Sequence, residues 1–196
     1  MLAIVDSGGA NIASVKFALE RLGVAGELTA DPAVIRAAAR VILPGVGSAA
    51  EGMKRLRERG LVECVRGLGQ PVLGICLGMQ LLFEASEEGP TPALGVLPGR
   101  VALLPAAPGL TVPHMGWNTV AVDRPTPLFE GLAGRRFYFV HSYAAPPVEH
   151  TLASAEHGVR FSAAVRRGNF HGVQFHPERS GAAGARLLKN FLEMPA

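Results

Sequence analysis

The chain has 196 residues, of which 48% are hydrophobic and 18% charged, with a formal net charge of +3. This composition excludes a disordered chain, and the length suits one domain, predicted over residues 1–196, that buries roughly 70% of its unfolded surface. The 16 Arg and 3 Lys form no basic run, since even the densest stretch, residues 54–59, is interrupted by Leu56 and Glu58. This pattern is typical of a solvated helix face and disfavours a nucleic-acid binder.

Cysteine content and apolar patterning indicate the compartment. Two cysteines, Cys64 and Cys76, are too few for the disulfide framework of a small secreted domain. Residues 1–5 lead into Asp6 without the basic start and long apolar core of a signal peptide, and no apolar run reaches the ~20 residues of a membrane helix. We therefore expect a cytoplasmic protein with neither membrane nor nucleic acid among its partners.

The first half of the chain alternates short apolar runs with amphipathic stretches. The pattern predicts strands at residues 2–5, 40–43 and 71–75, and helices at 12–22 and 77–85. This alternation favours an α/β fold: a mostly parallel central sheet with helices on both faces. Functional loops of such sheets lie at the carboxyl ends of the strands, so we expect 6–11, 44–48 and Cys76 to share one edge.

The second half of the chain has a different sequence pattern. Short β-like runs separated by Pro and Gly indicate a smaller antiparallel part, closed by a helix at 181–192. Segments 87–92 and 105–109 are predicted to be surface loops. The β-like runs are residues 96–104, 117–122, 137–143, 151–155, 162–166 and 170–175.

Cys76 lies in a G-x-C-x-G pattern, from Gly74 to Gly78, between a predicted strand and a predicted helix. Flanking glycines allow a sharp turn that exposes a nucleophile and directs the next backbone N–H at a developing oxyanion. The unpaired amides of a helix N-terminus also favour the thiolate. The alternative is a buried structural cysteine, which is the interpretation we prefer for Cys64 because it lacks this setting.

A cysteine nucleophile requires a base, and six histidines are available. His176 ends a strand-like run and precedes Pro177 and Glu178. Proline holds the preceding residue extended, so the side chains of His176 and Glu178 should project to the same side, where the carboxylate can orient the imidazole. The histidines and cysteines show no metal-ligand spacing, so we predict no metal and no cofactor.

The stretch Pro44-Gly45-Val46-Gly47-Ser48 follows a predicted strand on the same edge. Its glycines allow close backbone approach to a substrate, or a peptide flip, either of which suits a second oxyanion donor. A phosphate-binding loop is the alternative, but the stretch lacks the G-K-[ST] ending of such loops.

These residues resemble class I glutamine amidotransferases over nearly the whole chain, and within them the glutaminase subunits of imidazole glycerol phosphate synthases. The class motifs are GICLGMQ at 74–80 and GVQFHPE at 172–178. The subfamily motifs are PGVG at 44–47, PHMGWN at 113–118 and FVHSY at 139–143. The chain departs from the family at 6–11, which reads DSGGAN, with Ser7 at an aromatic position and Ala10 at a glycine, and it has Arg179 where Lys is frequent.

The resemblance implies a catalytic triad of Cys76, His176 and Glu178 that hydrolyses L-glutamine to glutamate and ammonia through a Cys thioester. It implies a (β/α)8 cyclase as partner in a heterodimer, which uses the ammonia to make imidazole glycerol phosphate in histidine biosynthesis. The remaining roles that it implies are an oxyanion hole at Val46 and Leu77, glutamine binding by Gly45, Gly47, Gln80, Ser142 and Tyr143, and a partner interface or channel mouth at Trp117 and Asn11.

Three alternatives remain at the level of sequence. The first is a glutaminase subunit of another biosynthetic pathway, which only the three subfamily motifs disfavour. The second is a γ-glutamyl hydrolase or cysteine peptidase of similar fold, disfavoured by the H-P-E sequence and Gln80. The third is a non-catalytic interaction module, disfavoured by the intact set of Cys76, His176 and Glu178.

Overall fold

The structure is a computed structural model, and it describes residues 1–7, 12–106 and 108–195. The first half contains strands and helices in alternation: β1 (Leu2–Val5), α1 (Ile12–Arg21), β2 (Gly26–Thr29), α2 (Pro32–Ala37), β3 (Arg40–Gly45), α3 (Ala49–Glu58), α4 (Val62–Arg66), β4 (Val72–Cys76) and α5 (Leu77–Gln80). The second half is mostly strands: β5 (Phe83–Ser86), β6 (Thr91–Pro92), β7 (Leu97–Leu103), β8 (His114–Thr119), β9 (Ala121–Val122), β10 (Arg136–His141), β11 (Tyr143–Ala144), β12 (Thr151–His157), β13 (Val159–Arg167), β14 (Phe170–Val173) and the final helix α6 (Gly181–Glu193).

The central sheet has eight strands within the described residues, in the order β2-β1-β3-β4-β14-β13-β12-β9. The first five run parallel to one another, whereas β13, β12 and β9 pair antiparallel with their neighbours. The predicted mixed α/β class, with a mostly parallel part and a smaller antiparallel part, is therefore confirmed. Strand β14 joins the two parts, because it pairs parallel with β4 and antiparallel with β13.

Two smaller sheets are built from the second half of the chain. Strands β8 and β10 form an antiparallel ribbon in which His114 lies opposite His141. A four-stranded sheet has the order β11-β7-β5-β6. Only two residues of β11, Tyr143 and Ala144, pair with β7.

Helices cover both faces of the central sheet because successive residues of its buried strands point to opposite faces. In β1, Leu2 and Ile4 belong to the core that also contains residues of α1 and α6, whereas Ala3 and Val5 belong to the core shared with α2, α3, α4 and α5. All four side chains are buried. Each large aliphatic side chain buried in this way stabilises the fold by about 1.5–3 kcal/mol.

The predicted helix at 77–85 is wrong in its second half. Helix α5 ends at Gln80, and the chain returns as strand β5. The backbone beyond Gln80 is held by long-range pairing, since the carbonyls of Leu82 and Phe83 accept from the amides of Leu97 and Gly95. Helical periodicity at 77–85 could not reveal this, because the competing hydrogen-bond partners lie more than ten residues away.

Two predicted strands are each divided between sheets. The run 117–122 contributes to the ribbon through β8 and to the central sheet through β9, and the run 137–143 is divided between β10 and β11. The predicted surface loop 87–92 also contains β6, whose Thr91 is buried. Strand β2 and helices α2 and α4 were not assigned from the sequence pattern, and of α3 only the charged helix face at 54–59 was. Residue 107 of the predicted loop 105–109 lies outside the described residues.

Candidate active site

Cys76 occupies a sharp turn between β4 and α5, as the G-x-C-x-G pattern predicts. Its φ of 53° makes it the single non-glycine residue with positive φ in the described chain. Close packing explains the two glycines: a Cβ at Gly78 would lie 1.8 Å from the Leu43 carbonyl oxygen, and a Cβ at Gly74 would lie 2.7 Å from that of Gly78. The turn therefore depends on backbone of the neighbouring strand β3 approaching helix α5.

The sulfur of Cys76 is buried among polar groups that come from the antiparallel half of the molecule. The thiol donates to the Val140 carbonyl at 3.9 Å, and the side-chain amide of Gln174 donates to the sulfur at 3.7 Å. Cys76 also interacts with the imidazole of His176, and this interaction raises the pKa of the imidazole.

His176 and Glu178 form a buried pair, in which the imidazole Nδ1 donates to Glu178 Oε1 at 2.7 Å. This is the contact that the sequence predicts. His176 is extended, with φ −101° and ψ 95°, and Pro177 starts a short 3-10 turn that brings Glu178 beneath the ring. Because Nδ1 donates to the carboxylate, Nε2 is the nitrogen directed to other partners.

Long-range backbone contacts fix the position of His176. Its N–H donates to the Tyr138 carbonyl at 2.9 Å, and its carbonyl accepts from the Ser180 hydroxyl at 2.7 Å. The same hydroxyl accepts from the Tyr138 amide at 2.9 Å. Gly184 lets helix α6 pack against this turn, since a Cβ there would lie 1.8 Å from the Pro177 carbonyl oxygen.

The pKa of His176 is raised from 6.5 to about 10. Burial alone lowers it, but the hydrogen bonds and charge interactions with Cys76 and Glu178 outweigh burial. The imidazolium form is therefore stabilised beside the thiol, which is the form that results when a cysteine transfers its proton to histidine.

A pocket of about 700 Å³ opens over Cys76 and His176. It is lined by residues from both halves of the chain, so the two regions enclose one site. Several of the predicted residues line it: Val46, Gly47, Cys76, Leu77, Gln80, Ser142, Tyr143 and His176.

Gln80 is held at the base of the pocket by two hydrogen bonds. Its Nε2 donates to the Tyr143 carbonyl at 2.8 Å and to Gln174 Oε1 at 3.0 Å. The buried Gln174 thus contacts both Gln80 and the sulfur of Cys76. Sequence reasoning missed Gln174, although its position inside the GVQFHPE motif was an available signal.

Glu88 is a second residue that sequence reasoning missed. Its carboxylate Oε2 accepts from the Ala49 amide at 2.7 Å, next to the N-cap Ser48, and the side chain lines the pocket. The carboxylate therefore caps α3 and adds negative charge to the pocket. Its position in a stretch predicted to be a surface loop concealed this role.

Three of the predicted residues that the structure describes do not line the pocket: Gly45, Trp117 and Glu178, the hydrogen-bond partner of His176. Gly45 ends β3 and packs against Leu77 and Gly78. Trp117 is 48% exposed on the ribbon and contacts Tyr138 edge-on. Asn11 lies outside the described residues. Over the described part of the chain, no group of three or more His, Cys, Asp or Glu could hold a metal ion, and no helix is long and apolar enough to cross a membrane.

The fold agrees with the comparison to known families. The class-I glutamine amidotransferase family model matches residues 3–194, so the chain belongs to that family. It is a glutamine amidotransferase by class, as the resemblance predicts.

Individual relatives resemble the chain over its full length. The imidazole glycerol phosphate synthase subunit HisH of Xylella fastidiosa (strain Temecula1) is 55% identical, with 100% of this chain and 98% of the relative covered. The subunit of the same name from Vibrio cholerae is 54% identical, with 98% of each chain covered.

Solved structures support the fold. A crystal structure described as a glutamine amidotransferase aligns with a TM-score of 0.76 and 24% identity over 97% of each chain. A putative GMP synthase subunit from Thermoplasma acidophilum aligns with a TM-score of 0.74 and 20% identity, covering 97% of this chain and 91% of that one.

Proposed function

We propose that this chain is the glutaminase subunit of an imidazole glycerol phosphate synthase, working as one domain in the cytoplasm and serving histidine biosynthesis. The observation that carries the chemistry is that Cys76 and His176 line one pocket, and that His176 Nδ1 donates to the Glu178 carboxylate at 2.7 Å. The identity of 55% with a subunit of that enzyme supports the pathway.

The proposed reaction uses Cys76 as nucleophile. The thiol first gives its proton to His176 Nε2, and Glu178 stabilises the resulting imidazolium; the thiolate then attacks the γ-carbonyl of glutamine. Collapse of the tetrahedral intermediate breaks the C–N bond as His176 protonates the departing nitrogen, which yields ammonia and a thioester. Water, deprotonated by His176, then cleaves the thioester to give glutamate and the free thiol.

The oxyanion of the intermediate requires backbone donors. Leu77 is the first residue of α5, where amides have no intrahelical acceptor, and it follows the nucleophile directly. Val46 and Gly47 line the same pocket, and the φ of +92° at Gly47 marks a conformation that a glycine adopts without strain. We propose the amides of Leu77 and Val46 as the oxyanion hole.

The rest of the pocket suits the free amino acid glutamine. Glu88 offers a carboxylate to the α-ammonium group. Gln80 uses both amide hydrogens on the protein, so its contact to the substrate runs through Oε1. Gly45 packs against Leu77 and Gly78 next to the nucleophile, and Ser142 and Tyr143 line the pocket beside Gln80.

The partner in this proposal is a (β/α)8 cyclase that forms a heterodimer with the chain and receives the ammonia. The exposed apolar side chains of the ribbon, Met115 at 63% and Trp117 at 48%, favour this face for docking. Asn11 stays a predicted interface residue.

The first test is glutamine turnover in the complex with the cyclase encoded by the same organism. Cys76→Ala is expected to lower glutamine-dependent synthesis by at least about 10⁴-fold, while added ammonium salt restores synthesis, because the thiol serves only to release ammonia. Retained glutamine turnover in Cys76→Ala would refute the assignment.

The second test concerns activation. Glycines on both sides of Val46 permit a peptide flip that turns the oxyanion donor away until the cyclase docks with its nucleotide ligand. One oxyanion donor accounts for about 10²–10³ in rate, so the chain alone should be slower than the liganded complex by about that factor. Equal rates for the chain alone, with cyclase, and with cyclase plus ligand would exclude the flip.

A further inference from the structure

Two buried histidines outside the proposed triad connect the ribbon to the pocket wall. His114 of β8 and His141 of β10 lie opposite each other, and His114 Nδ1 is 2.9 Å from His141 Nε2. His141 also lines the pocket, and its Nδ1 lies 2.9 Å from the Tyr143 carbonyl oxygen. On the outer side, the Asn118 amide nitrogen lies 3.3 Å from His114 Nε2.

The partners at the two ends fix the direction of every hydrogen bond in this row. A carbonyl only accepts, so His141 Nδ1 carries the hydrogen, and its Nε2 in the neutral ring accepts from His114 Nδ1–H. His114 Nε2 then accepts from Asn118, whose other amide hydrogen goes to the Glu156 carbonyl at 2.8 Å. Neutral rings satisfy all contacts, whereas a proton added to His141 would place two donors face to face. Burial lowers the pKa of His141 to about 3, as this arrangement requires.

The row of hydrogen bonds through His114 and His141 ends at the backbone of Tyr143, which together with Ser142 lines the pocket proposed to bind glutamine. The Tyr143 carbonyl accepts from both His141 and Gln80, and the Ser142 carbonyl accepts from the Leu104 amide at 2.9 Å. Strand β11 pairs with its neighbour over only two residues, so few ladder bonds hold this segment. Side-chain donors therefore supply much of its restraint.

We propose that His141, held in one tautomer by His114, is a positioning residue that fixes the backbone of Ser142 and Tyr143 for glutamine binding. This inference rests on the proposed glutaminase function. His141 does not exchange protons with the substrate, and its contribution is to the affinity for glutamine.

Two replacements of His141 separate its two contacts. In His141→Asn the amide nitrogen takes the place of Nδ1 and keeps a donor to the Tyr143 carbonyl. In His141→Gln the amide reaches the position of Nε2, so that the Tyr143 carbonyl loses the donor from residue 141 and keeps the one from Gln80. In the complex with the cyclase, we expect His141→Gln to raise the KM for glutamine about tenfold with kcat within about threefold, and His141→Asn to leave KM within about threefold.

A buried histidine elsewhere provides the matched control. His171 of β14 lies outside the pocket lining, so His171→Asn should leave KM unchanged despite the loss of a buried ring. If His141→Gln does not fold, His114→Gln tests the same role, because it alters the hydrogen bond that holds the tautomer of His141. The expected rise in KM for glutamine is about threefold.

The inference fails if His141→Asn and His141→Gln raise KM equally, if kcat falls with KM unchanged, or if His114→Gln leaves KM unchanged. Ammonia-dependent synthesis should stay constant in all these variants. Cys76→Ala, assayed alongside, separates the positioning role of His141 from the glutaminase function itself. If Cys76→Ala loses glutamine turnover and the His141 variants show no effect, the positioning role is refuted and the glutaminase assignment stands.

Discussion

The nucleophile and the base of the proposed triad are placed by different means in the two halves of the molecule. Cys76 lies in a tight turn of positive φ whose two flanking glycines can be recognised in the local sequence, although strand β3 is the element that Gly78 must accommodate. His176 is fixed by contacts with Tyr138, which is 38 residues away, and with Ser180. The parallel half thus supplies a turn that the local sequence reveals, whereas the antiparallel half supplies a position that depends on how distant strands meet.

The largest expected effect concerns His176, the proposed general base. His176→Asn should lower glutamine hydrolysis by about 10²–10⁴-fold, because it removes the general base. Glu178→Gln should retain at least about tenfold more activity, because an amide oxygen still accepts from Nδ1 and orients the ring. Steady-state turnover in the cyclase complex measures both. Equal and mild losses in the two variants would point to another histidine as the base.

The next largest effect is expected at the turn itself. Gly78→Ala places a Cβ 1.8 Å from the Leu43 carbonyl oxygen, so backbone must shift, with a cost of about 3 kcal/mol in the free energy of unfolding and a loss of glutaminase activity. Gly69 has open space around its Cβ position, and Gly69→Ala should change stability by less than about 0.5 kcal/mol. Chemical denaturation compares the two, and similar stabilities would show that the turn tolerates a side chain.

The smallest expected effect is the pH dependence of stability, in which the buried histidines act in opposite directions. Burial is the main cause that lowers the pKa of His114 and His171 to about 4 and of His141 to about 3. The unfolded chain binds protons at these sites below pH 6.5 and the folded chain does not, so stability falls as the pH drops from 6.5 toward 4.

The contribution of His176 to stability changes with pH in the opposite direction, because its pKa is raised to about 10. Its protonated form stabilises the fold fully below pH 6.5, and this contribution is lost as the pH rises toward 10. Unfolding free energies measured from pH 4 to 10 should therefore decline at both ends, by roughly 1–3 kcal/mol. His171→Asn should flatten the acid side alone. An acid side as steep as in the unsubstituted chain would contradict the assignment of His171 as a buried neutral histidine.

Much of the fold and the central residues of the site are readable from local sequence. The strand 2–5 and the helix that begins at Ile12 follow directly from apolar spacing, and the observed helix ends one residue before the predicted end. The contact between His176 and Glu178 follows from the restriction that Pro177 imposes. In each case the determining interactions lie within a few residues of one another.

Tertiary structure decided the remainder, because the determining partners are distant in sequence. Strand β5 replaced the second half of a predicted helix since β7 offered it hydrogen bonds, and Glu88 entered the pocket because its carboxylate caps α3. Gln174 meets the sulfur of Cys76 only through the parallel pairing of β14 with β4. A local pattern encodes turns and amphipathic faces, whereas the choice among strands and the contents of the pocket depend on which segments the folded chain brings together.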